Sequence, residues 1–528
     1  MHTLTINGHS TTVPDGATVL DAARGLGIRI PTLCHREGHE PFTSCMLCVV
    51  EDRGTGRIIP SCSARAVDGM EIETDSPAVR DARKVALELL LSDHEGDCEA
   101  PCTRICPAHL NIPLMLRQII AGAYREALVT TKETIPFPAV LGRICPAPCE
   151  KGCRRAQHDD AVPICILKRF VGDHGLSAEP YLPPCAPASG KRVAIIGAGP
   201  AGLSAAFYLQ QLGHACTVFD RAGEPGGALR SAIPGERLPR AVLDGEIGIV
   251  RLLGAAFRMN TALGRDVAID HLRSEFDAVV IAIGAIVDAD TSFLKLGMAK
   301  GGIKAQVHTH ETSERGVFAC GDAVHANRMA VRAVAAGRAT AASVGQFLSG
   351  GAVTGLHTRF DSMLGRLREG EMAQFLEGAR PGPGLHVPSD RPEELGEADA
   401  RAQAERCLHC DCRKPEECAL RNYAGEYDAK QRRYAGAARR QVEIVRQHAS
   451  VVYEPGKCIK CGLCVTITEQ AREELGLTFV GRGFDVRVAA PFSEPLSRAL
   501  ARTADECVAA CPTGALAHSG AAPRQPAA

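Results

Sequence analysis

The sequence predicts a multidomain α/β and α+β chain, and three observations carry that prediction. At 528 residues it is long enough for three or more domains with real hydrophobic cores. Its 23 cysteines bunch into four groups instead of scattering. From residue 191 to about 350 the chain follows a strand, glycine-rich turn, helix, strand pattern, with a Pro-rich linker (PYLPPCAPASG) before it. Composition narrows the class further. With 60 Lys+Arg against 61 Asp+Glu the net charge is −1, which excludes a polybasic nucleic-acid binder. A hydrophobic content of 45% excludes a collagen-like or mostly disordered chain. The N-terminus MHTLTINGHSTTVPDG has no basic region followed by an apolar one. No run approaches the ~20 apolar residues of a membrane span. The expected location is therefore the cytoplasm, where many cysteines mean metal or redox chemistry and not disulfides.

Residues 1–76 read as a small β-rich domain: LTINGHSTTVPDG is a strand pair joined by Asn-Gly, and ATVLDAARGLGI is an amphipathic helix. A helix over about 77–92 leads into region 77–185, where 110–132 and 163–173 are expected to be helical. Residues 191–350 form the α/β domain, 351–396 a linker or helix, 397–430 a Cys-rich module, 431–518 a further small domain, and 519–528 a disordered tail. Cys185, Cys216 and Cys320 stand alone and read as scattered core residues.

The first group, Cys34, Cys45, Cys48 and Cys62, has the spacing C-x10-C-x2-C-x13-C. Thiolates are the soft ligands of iron–sulfur clusters, and three on one loop with a fourth from a later strand suit a [2Fe–2S] site in a β-grasp ferredoxin domain. Zinc prefers two paired CxxC knuckles, and only one pair is present. The segments IPTLCHREG, SCMLCVVE and IIPSCSARAVDGMEIETDS resemble the N-terminal domain of the large peripheral iron–sulfur subunit of NADH dehydrogenase (complex I) and of NAD-linked hydrogenases. The resemblance continues through RKVALELLLSDHEGDC, where those proteins place a His and the first Cys of a further cluster.

The second group changes family. CEAPCTRICPAHLNIP and GRICPAPCEKGCRRAQHDDAVPICILKRFVGD resemble the iron–sulfur module of the glutamate synthase small subunit and of dihydropyrimidine dehydrogenase. That resemblance implies a helical domain with two [4Fe–4S] clusters whose ligands interleave between the two runs. Eight ligands are needed and seven Cys are present. Cys98, Cys102 and Cys153 would form one cluster, with His94 or Glu95 as a fourth ligand. Cys106, Cys145 and Cys149 would form the other, with Cys165 as fourth. His94 otherwise reads as a surface residue at a helix end.

In KRVAIIGAGPAGLSAAFYLQQLGHACTVFD, Gly197, Gly199 and Gly202 supply the tight turn, the backbone approach to a pyrophosphate, and helix–strand packing. Pro200 and Ala201 open the helix, whose N-terminus meets the negative charge. Asp220 ends the second strand, placed for a ribose hydroxyl. Asp220-Arg221 followed by Pro225-Gly226-Gly227, and GVFACGDAV with Gly321 and Asp322, resemble the two FAD signatures of FAD-dependent pyridine-nucleotide reductases. That family inserts a nicotinamide-binding domain between the signatures. Here only residues 286–315 lie between DAVVIAIGA and the second signature, without a GxGxxG, so the NAD(P) subdomain is expected to be missing.

RCLHCDCRKPEEC holds Cys407, Cys410, Cys412 and Cys418, four thiols in twelve residues, which suit either a [4Fe–4S] cluster or zinc. Cys458, Cys461 and Cys464 with the remote Cys-Pro of Cys511 are the ligand set of a ferredoxin-type [4Fe–4S] cluster, which leaves Cys507 over. This C-terminal part, with its GRGFDV segment, again resembles the complex I subunit.

The combined expectation is an electron-relay subunit of a cytosolic NAD(P)-linked oxidoreductase of hydrogenase, formate dehydrogenase or electron-bifurcating type. It would carry FAD, one [2Fe–2S] and three to four [4Fe–4S] clusters. Its partners would be an NADH/FMN-binding subunit and a catalytic metalloenzyme subunit. No acid/base or nucleophile set marks a catalytic pocket. Two other readings stand beside it: a stand-alone NADPH-dependent reductase of the glutamate synthase small-subunit class, and a metal-binding scaffold or redox sensor.

Overall fold

Asn7 and Gly8 both take positive φ, the signature of a type I′ hairpin turn, and they pair β1 (His2–Ile6) antiparallel with β2 (His9–Val13). Thr18 caps helix α1 (Val19–Gly25) in a reciprocal capping box with Asp21. Val19, Leu20, Ala22 and Ala23 then pack onto Leu4, Ile6 and Ile72. Strands β3 (Val49–Asp52), β4 (Arg57–Pro60) and β5 (Glu71–Glu73) complete a sheet of order β2-β1-β5-β3-β4, with β1 and β5 parallel. Helix α2 (Pro77–Ser92) starts on the Ser76 cap, as its Pro77 requires, and Arg83 ties it to the Val49 carbonyl at 2.8 Å.

The computed structural model describes residues 1–286, 291–385, 395–434, 436 and 439–519. The expected tail beyond Ser519, and parts of the 286–315 connection and of the 351–396 linker, lie outside the described residues. The chain divides into two units. The first comprises residues 1–100, 359–378 and 410–528, and the second 101–358 and 379–409.

The second unit begins with α3 (Pro101–Ile105), α4 (Ile112–Ile120), α5 (Tyr124–Lys132), α6 (Pro138–Ile144), α7 (Pro148–Lys151) and α8 (Ile164–Ser177). The continuous helix expected over 110–132 is two helices, because Gly122 breaks it with φ +74°. Helices α6 and α8 meet at glycines: a Cβ on Gly142 would stand 2.6 Å from the Arg169 Cα, and one on Gly172 would collide with the Ala139 backbone.

A parallel five-stranded sheet follows. Its strands are β6 (Arg192–Ile196), β7 (Ala215–Phe219), β8 (Ala256–Arg258), β9 (Ala278–Ile281) and, after a short hairpin, the strand Val317–Ala319. The order is 317–319, β9, β6, β7, β8, so the chain switches direction beside β6. Helix α9 (Pro200–Gln211) leaves the carboxyl end of β6, and the helix Ala330–Leu348 packs across it. Between β9 and Val317 the described residues form one 3-10 turn and the Met298–Ala299/Gly302–Ile303 hairpin, and no βαβ unit.

The remainder of the first unit contains the antiparallel pairs Val451–Tyr453 with Leu516–His518 and Thr478–Val480 with Arg487–Ala489, and the helices Ala419–Glu426, Leu463–Gln470 and Ala504–Ala510. Among the described residues no helix is long and apolar enough to cross a membrane.

Candidate redox centres

Cys34, Cys45, Cys48 and Cys62 are all buried beside the β-sheet of the first unit. The irregular loop that carries the first three turns through left-handed Thr43 and Met46. Cys34 and Cys45 bring their sulfurs to 3.4 Å. The Cys45 thiol, joined by the backbone amides of Cys45 and Ser44, overcomes burial and holds Cys34 down at about 5. The Cys48 thiol similarly lowers Cys62 to about 7. Two of the four sulfurs are thus held toward the thiolate that a soft metal needs.

In the same unit Cys458, Cys461, Cys464 and Cys511 line one apolar cavity with Tyr453 and Val488. Gly462, with φ +79°, starts the helix that bears Cys464. Burial raises the Cys458 and Cys464 thiols. Four soft donors around a dry pocket fit an iron–sulfur cubane. Cys507 is fully buried, with its sulfur 3.8 Å from the Cys464 carbonyl oxygen.

A third group assembles in the first unit from distant segments. The Cys412 amide donates to the Cys98 carbonyl at 3.2 Å, and the Ser362 amide donates to the Cys98 sulfur at 3.4 Å. Burial pushes Cys418 up to about 12, with the negative potentials of Cys412, Cys98 and Cys511 adding to it. A Cβ on Gly514, in the loop after Cys511, would collide with the Cys412 sulfur. Cys34, Cys45, Cys418 and Cys461 belong to one hydrophobic cluster, so members of three thiol groups of this unit share a core. His94, a candidate fourth ligand whose other reading is a surface residue at a helix end, is buried. Burial, with Lys457 beside it, depresses its pKa to about 4, and its Nδ1 has no hydrogen-bond partner. Glu95 accepts from the backbone amide of Arg440.

Cys98, His94, Glu95, Cys410, Cys412 and Cys418 belong to the first unit, and Cys102, Cys153 and Cys407 to the second. Among the described residues no three His, Cys, Asp or Glu side chains form a single-ion site.

The second unit gathers Cys106, Cys145, Cys149 and Cys165 around Lys168, whose charge acts on all four. The close approach of α6 and α8 sets Cys145, at the end of one helix, beside Cys165, near the start of the other. The Cys165 thiol donates to the Cys145 carbonyl at 3.8 Å, and the Cys165 amide donates to Glu150 at 2.7 Å. Hydrogen bonding from Cys165, with a contribution from Lys168, brings Cys145 down to about 6 against the effect of burial. Near Cys153, the fully buried Arg406 donates to the carbonyls of Gly382, Ala161 and Asp160 and to Asp159, while Arg155 donates to the Arg406 carbonyl. Neither Lys168 nor these arginines stood out in the sequence, where a buried charge reads like a surface one.

The dinucleotide cradle converges on the end of β6. Gly197 has φ +110°, and a Cβ there or on Gly202 would collide with backbone. Asp220 accepts from the amides of Ala198, at 2.6 Å, and Ala222, at 2.8 Å, and so holds the turn in shape. Gly227 faces Gly199 and has no space for a side chain of its own: a Cβ on Gly227 would be 2.8 Å from the Gly199 Cα. A Cβ on Gly321 would be 2.9 Å from that of Ala201, so the second signature lies against the first. Asp322 accepts from the Asn327 amide at 3.3 Å, Pro200 occupies the first turn of α9, and Arg221 is exposed. A side-chain-free groove at a helix N-terminus fits a pyrophosphate. Cys320 and Cys216 are buried as expected, whereas Cys185 is exposed and so is not a core residue.

Three family profiles match the chain: a 2Fe-2S iron-sulfur cluster binding domain over residues 1–77, the dihydropyrimidine dehydrogenase domain II with its 4Fe-4S cluster over 95–179, and an NAD(P)-binding Rossmann-like domain over 195–248. The NADP(+)-dependent formate dehydrogenase subunit beta of Moorella thermoacetica is 42% identical over 207 residues, 35% of this chain and 29% of that one. The NADPH-Fe(3+) oxidoreductase subunit beta of Geobacter sulfurreducens is 40% identical over 190 residues, 35% of this chain and 28% of that one. The glutamate synthase [NADPH] small chain of Bacillus subtilis is 35% identical over 242 residues, 41% of this chain and 49% of that one. The chain therefore spans less than half the length of each of these relatives. Among solved structures, an NAD+-reducing [NiFe]-hydrogenase is similar over 99% of this chain and 90% of its own, at 13% identity and a TM-score of 0.37. The protein is thus built from a [2Fe–2S] domain, a [4Fe–4S] domain and a Rossmann-like dinucleotide domain in succession.

Proposed function

We propose that the chain is an iron–sulfur flavoprotein subunit that relays electrons within an NAD(P)-linked oxidoreductase complex of the hydrogenase, formate dehydrogenase or bifurcating type. The observation that carries this reading is a hydrophobic core of the first unit to which Cys34, Cys45, Cys418 and Cys461, members of three thiol groups, all belong. When bound, a flavin exchanges electrons in pairs or singly and iron–sulfur clusters carry them singly.

In this reading Cys34, Cys45, Cys48 and Cys62 hold a [2Fe–2S] cluster. Cys458, Cys461, Cys464 and Cys511 hold one [4Fe–4S] cluster, and Cys106, Cys145, Cys149 and Cys165 hold another. Cys98, Cys412 and Cys418 supply three ligands of a third, with the buried His94 in the same unit. Cys102, Cys153 and Cys407 remain in the second unit for a fourth. FAD lies on Gly197, Gly199, Pro200, Ala201 and Gly202, with Asp220, Arg221, Gly227, Gly321 and Asp322 around it. Electrons enter or leave through an NADH/FMN-binding subunit and a catalytic metalloenzyme subunit.

A second reading, direct oxidation of NADPH, has support in the names of the relatives. The described residues between β9 and Val317 weigh against it, because they offer no second dinucleotide fold. Anaerobically purified chain should contain FAD, iron and acid-labile sulfide. It should be reducible by dithionite and give no useful rate of viologen reduction with NADPH. Brisk NADPH–viologen turnover by the isolated chain would overturn the proposal. Zinc without sulfide would make the protein a scaffold.

A further inference from the structure

Lys168 is buried to 3% exposure on α8, one helical turn from Cys165. Its Nζ donates to the Cys165 sulfur at 3.6 Å. Among the described residues it forms no ion pair with a carboxylate, and the charges that act on it most are those of Cys165, Cys145, Cys149 and Cys106. A buried lysine costs free energy unless a negative charge offsets it. Here the compensating charge is a ring of sulfurs, whose thiolate forms the ammonium group favours against the effect of burial. Its place is rigid: α8 is locked onto α6 at Arg169, which abuts Gly142, and at Gly172, both within four residues after Lys168.

We propose that Lys168 is a positioning cation that sets the reduction potential of the cluster held by Cys106, Cys145, Cys149 and Cys165. The inference rests on the cluster assignment proposed above. One-electron reduction adds one negative charge to a site that is already anionic, and the electron comes from the external reductant. A fixed positive charge beside it in a low-dielectric interior stabilises the reduced form more than the oxidised form. No proton moves and Lys168 stays charged throughout.

The test is an EPR-monitored redox titration of the full chain, reduced with dithionite under anaerobic conditions, with iron and sulfide analysis alongside. Cys149→Ala identifies the EPR component that belongs to this site. Lys168→Met and Lys168→Gln should shift that component alone to more negative potential, by at least a tenfold change in the oxidised-to-reduced ratio, about 59 mV for a one-electron couple. Lys168→Arg should restore it. An unmoved midpoint in both neutral variants at full iron content overturns the role of Lys168 and leaves the cluster assignment intact. Iron lost in Lys168→Arg as well as in the neutral variants shows that space-filling, not charge, is required, and also overturns it. A Cys149→Ala variant with unchanged iron and EPR components removes the cluster assignment itself, and the role of Lys168 with it.

Discussion

Gly142 of α6 and Arg169 of α8 are in backbone contact: a Cβ on Gly142 would stand 2.6 Å from the Arg169 Cα. The same two helices meet again where Gly172 abuts Ala139. Because the obstacle is backbone and not a flexible side chain, neither site can relax cheaply. Gly142→Ala or Gly172→Ala should cost about 1–3 kcal/mol through overpacking. By separating Cys145 from Cys165, either should also lower the iron content by one cluster. Thermal unfolding followed by circular dichroism, with iron counted per chain, checks both effects. A variant with wild-type melting and full iron would contradict the packing argument.

Cys98, Cys412 and Cys418 should behave as one set. Each Cys→Ser change should remove the same EPR component, and Gly514→Ala, whose methyl group would strike the Cys412 sulfur, should imitate Cys412→Ser. Three different spectral losses would show that the three thiols serve different centres.

Arg406 satisfies four acceptors from full burial. Arg406→Met should destabilise the second unit by about 3–5 kcal/mol, because Asp159 loses a partner and buried carbonyls are left without donors. Arg406→Lys should not restore stability, since an ammonium group cannot span the same fork. Urea unfolding curves of the two variants measure this, and full rescue by Lys would refute it.

Glu371 supplies the pH dependence. Burial alone would raise its pKa, but the Arg439 guanidinium and the amides of Arg368 and Val442 outweigh it and hold Glu371 at about 2. Its folded pKa lies below its unfolded one. The stabilisation is therefore complete above the ordinary carboxylate value near 4.5 and is lost as pH falls toward 2. Glu371→Gln should cost about 1.5–3 kcal/mol at pH 7. The gap to wild type should close between pH 4.5 and 2 in acid unfolding, and a gap independent of pH would exclude the ion pair as its source.

Much of this was legible in the sequence because it is local. Asn7-Gly8 specifies its hairpin, Ser76-Pro77 starts α2, and Gly197 through Gly202 announce the turn after β6. The thiol spacings similarly mark loops that carry several ligands at once. What sequence spacing could not reveal is long-range or buried. The family pattern groups Cys98 with Cys102 and Cys153 and gives no sign of the backbone hydrogen bond from the distant Cys412 amide to the Cys98 carbonyl. For His94 the sequence leaves a ligand and a surface residue both open, because nothing local distinguishes the end of an amphipathic helix at the surface from one covered by a distant segment. Lys168 and Arg406 look like surface charges in the sequence because their burial depends on tertiary neighbours, and Gly142 and Gly172 give no signal there because helix-interior glycines betray close packing only once the partner helix is known.

The first unit is assembled from three separate stretches of chain, and this imposes an order on how the protein is made. When Cys98 leaves the ribosome, Cys412 does not yet exist. Closing a flexible loop of roughly 300 residues around that contact would carry an entropy cost of about 5 kcal/mol. A second unit that folds first shortens the effective loop to its own two ends. The β-sheet at the start of the chain, with all four of its thiols in one uninterrupted segment, can mature early. The Cys98–Cys412 contact must wait for the chain to return, which leaves Cys98 without its distant neighbour while the whole of the second unit is made.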